Sequence, residues 1–189
     1  EVLGQPDRPI SVREDVVRIE VLGLPWDIGG MVYEPEDATQ IPAGADGKKI
    51  GIFLLHGGGG DHRGKDRMGR FLAAKFGYKV ATMTYPGHLY LLDPSRDWPG
   101  DTINADGTAR TPLWNVDHPI TPDQYELVED GHDATLRDKY GTLFFLRARA
   151  GTDFYDRMAA WPMAFEEAMK AVCRRDFPPA EYSVYAHGQ

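Results

Sequence analysis

The sequence predicts an α/β domain built on a mostly parallel sheet, and three stretches carry that prediction. KIGIFLLHGGGG (49–60) opens with an unbroken apolar run, the pattern of a strand covered on both faces by helices. RGKDRMGRFLAAKFGY follows, with Met68, Phe71, Leu72 and Phe76 at helical spacing and Gly77 as the stop, before YKVATMTYPG resumes as a strand. DFYDRMAAWPMAFEEAMKAVCRR (153–175) reads as a helix, kinked or restarted at Pro162, that leads into the strand YSVYAHGQ. Strands alternating with helices in this order argue for parallel pairing.

The remaining segments fit around that frame. VVRIEVLG (16–23) and GGMVYEP (29–35) read as two short strands joined by the turn-like LPWDI, which makes an antiparallel edge hairpin. EDATQIPAGADGKK is a polar loop whose Pro and Gly oppose regular structure. Residues 88–154 lose periodicity, and their Pro, Gly, Asp and Trp content, with Trp98 and Trp114, points to a lid-like excursion. Within it, TPDQYELVEDGHDATLRDKYGTLFFLRARA is expected to hold one or two helices, with Thr121 a candidate cap. No internal repeat interrupts the reading, so residues 1–189 are taken as part of one domain.

Composition narrows the partners. A formal charge of -8 and a pI near 5.2 oppose binding to nucleic acid or an anionic membrane, which depends on clustered Lys and Arg. The single cysteine, Cys173, rules out an internal disulfide framework and a Cys-rich zinc site, and with no signal-peptide pattern it points to a reducing, cytoplasmic setting. No apolar stretch approaches the length of a membrane span.

Two motifs carry chemistry. HGGGG follows a buried strand and precedes a helix, where glycine lets the backbone come close to a ligand and aim N–H groups at developing negative charge. A phosphate cradle competes with this reading, but the Lys-Ser/Thr pair of the Walker pattern is absent. The strand SVYAH runs into Gly188-Gln189, which matches the first two positions of the G-x-S-x-G nucleophile elbow.

With these residues in place, the chain resembles the N-terminal half of the α/β-hydrolase family over most of residues 16–87 and 155–189. The likeness implies oxyanion donors at the backbone of Gly58 and Gly59, with His56 and Gly57 shaping the turn. Gly188 and Gln189 would precede the nucleophile, and Tyr85 and His88 would line the substrate pocket. The family's acid and catalytic histidine come after the nucleophile. The implied protein therefore hydrolyses an ester, amide or related carbonyl bond of a small molecule by acyl transfer, without a cofactor. A second polypeptide is expected to complete the sheet and to bring the nucleophile and base. Self-cleavage of a precursor after Gln189 is one expected origin of that arrangement; split genes or truncation are the others.

Two other classes stand beside this reading. His56, Asp61 and His62, with His88 and His187 on the same sheet edge, suggest a metal-dependent hydrolase needing three ligands and an open position. A hydrolase-like binding subunit without a nucleophile is the non-catalytic alternative. Arg137, Lys139, Arg147 and Arg149 are expected on the solvated surface, and Phe144, Phe145, Phe154, Tyr155 and Trp161 in the core or an apolar lid.

Overall fold

Strands β1 (Ile10–Val21) and β2 (Leu24–Pro35) pair antiparallel from Val21↔Leu24 to Ile10↔Pro35 in a computed structural model that describes Gly4 and residues 6–57, 61–86, 121–129 and 144–188. The connection is the two-residue turn Leu22-Gly23, both at positive φ (53° and 77°), the backbone of a type I′ hairpin turn. This corrects the expected turn at LPWDI: those residues lie inside β2, where Trp26 and Ile28 are buried. Burial of the two apolar side chains outweighs the turn character of the Pro and Asp beside them.

The sheet continues through β3 (Lys49–Leu54), β4 (Lys79–Met83) and β7 (Tyr182–His187), in the order β1-β2-β4-β3-β7. β4, β3 and β7 are mutually parallel, and β2 joins β4 antiparallel. The fold is thus α/β with a mixed sheet whose parallel part is edged by the hairpin, as the sequence predicts. A second, two-stranded antiparallel sheet pairs β5 (Tyr125–Glu129) with β6 (Phe144–Ala148). It occupies the two ends of the stretch expected to hold one or two helices, whose middle, residues 130–143, lies outside the described residues. Tyr125 is buried and meets the ring of Phe154 edge-on, so burial of this side chain favours the strand over the charged, helix-compatible composition around it. Thr121 caps no helix by its side chain; it precedes a single 3-10 turn, Pro122–Gln124. The rest of the 88–154 excursion, with Trp98, Trp114, Arg137 and Lys139, lies outside the described residues.

Helix α1 (Asp66–Phe71) runs into a π-helical turn, Leu72–Phe76, closed by Gly77 at φ 74° as the sequence indicates. Of the four apolar residues at helical spacing Met68 and Phe71 are exposed, while Leu72 packs partly buried against the sheet beside Gly69 and Ala73. A Cβ on Gly69 would stand 2.5 Å from the Tyr33 ring, so glycine is what lets the helix lie against β2. Helix α2 (Asp153–Asp176) starts at Thr152, whose hydroxyl accepts the Tyr155 N–H at 3.2 Å, and passes through Pro162 without ending. Its buried stripe of Phe154, Ala160, Ala164, Ala168 and Val172 packs with Trp26, Ile28, Val32, Phe53, Ala81 and Met83. The opposite sheet face packs Met31, Tyr33, Leu54 and Val80 with Ala73 beside α1.

The chain moves from β3 one way to β4 and then back across β3 to β7. Crossovers of one hand in opposite directions put their helices on opposite faces, which explains the three layers. It also puts the switch point of the strand order between β3 and β7, at whose carboxyl ends open α/β sheets bind ligands.

Candidate active site at the carboxyl ends of the parallel strands

β3 and β7 run in register from Lys49↔Tyr182 to Leu54↔His187, and the Leu55 N–H donates to the His187 carbonyl at 2.8 Å. Both motif-bearing segments therefore leave the sheet side by side. A Cβ on Gly188 would meet the Leu55 Cβ at 3.3 Å, so glycine there permits the close approach of the two exits. Gly57 has no such constraint: no described atom lies within 4 Å of where its Cβ would be, and its φ is outside the positive region. Gly58, Gly59, His88 and Gln189 lie outside the described residues.

His56 is 2% exposed, and three bonds to described residues hold it. Its Nδ1–H donates to the Gly57 carbonyl at 2.6 Å, Nε2 accepts the Tyr85 main-chain N–H at 3.1 Å, and the Tyr85 hydroxyl donates to the His56 carbonyl at 2.5 Å. With Nε2 accepting, the ring proton belongs on Nδ1. Burial pushes the His56 pKa below the ordinary histidine value and lifts that of Tyr85 above the ordinary phenol value. The ring and carbonyl of His56 thus tie the end of β3 to Tyr85. Tyr85 stacks on His56, meets Phe165 edge-on at 5.2 Å, and Phe165 stacks on Trp161 at 5.3 Å. Trp161 donates from Nε1 to the Pro86 carbonyl at 2.9 Å. An aromatic row thus runs from the end of β3 to α2; Phe165, which the sequence analysis passed over, belongs to it.

Beyond the glycines, Asp61 accepts the N–H groups of Arg63 (2.8 Å) and Gly64 (3.2 Å). His62 is fully buried, with Nδ1 2.6 Å from the Thr84 hydroxyl and Nε2 2.7 Å from Glu14. The His62 hydrogen bond, with Arg63 beside it, holds the Glu14 carboxyl below its ordinary range. The ring nitrogens of His56 and His62 are engaged by protein groups. Among the described residues no cluster of three His, Cys, Asp or Glu is placed to hold a metal ion. His187 is exposed at the end of β7. No described helix is long and apolar enough to cross a membrane.

Comparison with models of protein families, with curated proteins and with solved structures returns no match.

Proposed function

We propose that this chain is one subunit of an α/β-hydrolase-like enzyme that cleaves an ester, amide or related carbonyl bond of a small molecule by nucleophilic acyl transfer. The observation that carries the proposal is the in-register parallel pairing of β3 with β7. An elbow nucleophile must stand beside N–H donors from the loop after the third strand, and this pairing brings the exits of the two motif-bearing segments together.

In this reading Gly58 and Gly59 stabilise the oxyanion, and Gly188-Gln189 lead into the nucleophile. His56 and Gly57 shape the loop, with Tyr85 and His88 along the pocket. A second polypeptide covers the outer edge of β7 and brings the nucleophile and its base. Support for that cover comes from Val184 and Tyr185, which are exposed on adjacent positions and hence on opposite faces of β7. Apolar side chains on both faces of a parallel strand belong to a sheet interior.

The test is turnover of a panel of small aryl esters and anilides by the assembled protein. Saturable turnover lost on fluorophosphonate treatment supports the reading. Binding of the same compounds without turnover favours the non-catalytic binding subunit.

A further inference from the structure

Helix α1 and the π-helical turn after it carry a second stripe besides Gly69 and Ala73. Arg67, Arg70, Phe71, Ala74 and Lys75 follow the spacing i, i+3, i+4, i+7, i+8 and share one side of the helix. The segment from Asp7 to Ile10, which leads into β1, stands opposite, and the two walls flank a cavity of about 370 Å³, a size suited to a small molecule. Three contacts tie the walls together. Arg8 donates from its main-chain N–H to the Ala74 carbonyl at 3.0 Å and from Nη1 to the Lys75 carbonyl at 2.5 Å, and Lys75 Nζ lies 2.6 Å from the Asp7 carboxylate.

The cavity inverts the charge of the chain, which is formally -8. Arg8, Arg67, Arg70 and Lys75 all line it. Asp7 answers Lys75, and Asp66 answers Arg70 through Nε at 2.9 Å. Arg67 has no hydrogen bond or ion pair among the described residues, so two positive charges, on Arg8 and Arg67, are left without a carboxylate. Nε and Nη2 of Arg8 and both Nη atoms of Arg70 also meet no acceptor among the described residues. Repulsion between Arg67 and Arg70, three residues apart on one face, opposes the helix, and an anion between them relieves it. Phe71 adds an apolar surface: it is 45% exposed and braced edge-on by Phe76 at 5.7 Å, with Ile10 and Ala74 beside it in the cavity.

We infer that this cavity binds a phosphate monoester of a flat, apolar body. Two uncompensated positive charges match a monoester, which carries close to two negative charges at neutral pH. Guanidinium forks suit phosphate oxygens, and the Phe71 ring offers a stacking surface for the body of the ligand. A carboxylate would leave one of the two charges unanswered. The site is on the α1 side of the sheet, and nothing in it depends on the hydrolase reading.

The test is titration calorimetry of the assembled protein with phenyl phosphate, inorganic phosphate and benzoate, repeated on Arg67→Ala, Arg67→Lys and Phe71→Ala. Both side chains are exposed, so the substitutions leave the fold intact, and matching unfolding midpoints check this. Phenyl phosphate should bind one site per chain with a Kd below about 1 mM, and inorganic phosphate and benzoate more weakly. Arg67→Ala should weaken phenyl phosphate by about tenfold or more, the scale of a lost charge-assisted bond, and Arg67→Lys should recover part of the loss. Phe71→Ala should weaken phenyl phosphate and leave inorganic phosphate unchanged. Absence of saturable phenyl phosphate binding overturns the inference, and so does binding that Arg67→Ala leaves unchanged. Benzoate bound as tightly as phenyl phosphate overturns the phosphate assignment, and an unchanged phenyl phosphate affinity in Phe71→Ala overturns the role of the ring.

Discussion

The main-chain N–H of Tyr85 donates to Nε2 of His56 at 3.1 Å while the two rings stack with centroids 3.8 Å apart. The bond fixes a neutral imidazole, and burial depresses its pKa. Unfolded chain takes up this proton near the ordinary histidine value of about 6.5, folded protein only at lower pH. Between the two values the unfolded state holds more protons, so stability rises with pH. The contribution is complete above the unfolded value and is lost as the pH falls through the folded one. Denaturant unfolding from about pH 7 to pH 5 should therefore show a steeper loss of stability in the wild type than in His56→Gln. Equal slopes would remove the claim that His56 is buried neutral.

Gly51 lies at the centre of β3, opposite Lys79 and Val184, and a Cβ there would meet the buried Phe177 ring at 2.7 Å. Phe177 is 1% exposed and has no room to yield. Gly51→Ala should destabilise by about 1–3 kcal/mol, the usual range for overpacking. Chemical denaturation checks this, and a neutral result would mean that Phe177 packs elsewhere.

Arg157 is fully buried, donates to Asp153 at 2.8 Å and to the Pro25 carbonyl at 2.5 Å, and lies 5.2 Å from the Trp26 ring. Asp153→Ala takes away its counter-charge and should destabilise by about 2–4 kcal/mol. Because Asp153 is itself about one third exposed (34%), the lower part of that range is expected. Adding Arg157→Met to Asp153→Ala should recover part of the loss, since an apolar side chain needs no partner there. Thermal and denaturant unfolding of the single and double variants measures both effects.

The parts of the fold that could be read from the sequence are those whose signal is local. The apolar run of β3, the stop at Gly77 and the helix from Asp153 each follow from composition or period within a short window. The turn at Leu22-Gly23 did not, because leucine seldom adopts positive φ and the neighbouring Pro25 and Asp27 carry the stronger turn signal. β5 and β6 were missed for a different reason: what stabilises them is their pairing across many intervening residues and the burial of Tyr125 against Phe154. The site divides the same way. HGGGG and HGQ are visible as motifs, whereas Glu14 gives no local hint that it reaches His62. Phe165 carries only a helical apolar period, which marks a core face as readily as a site wall.

Tyr185 is 57% exposed and Val184 38% on a strand paired along one edge by β3. Among the described residues no strand pairs with the other edge of β7, and apolar edges left open recruit other strands. The isolated chain should therefore self-associate at micromolar concentration, and Tyr185→Lys should raise its monomer fraction and, if a second polypeptide covers this edge as proposed, weaken assembly with it. Light scattering after size exclusion reads both. A wild-type chain that is monomeric and stable alone would count against a covered β7 edge.

The central claim is that the exits of β3 and β7 form the two sides of an acyl-transfer site. Mapping a fluorophosphonate adduct on the assembled protein by tandem mass spectrometry tests it most directly. One adduct is expected, on the hydroxyl of the residue that directly succeeds Gln189 in the elbow pattern, and it should be lost when that residue is replaced by alanine. An adduct at Thr84 or Ser183, or turnover that leaves the probe unreacted, would contradict it.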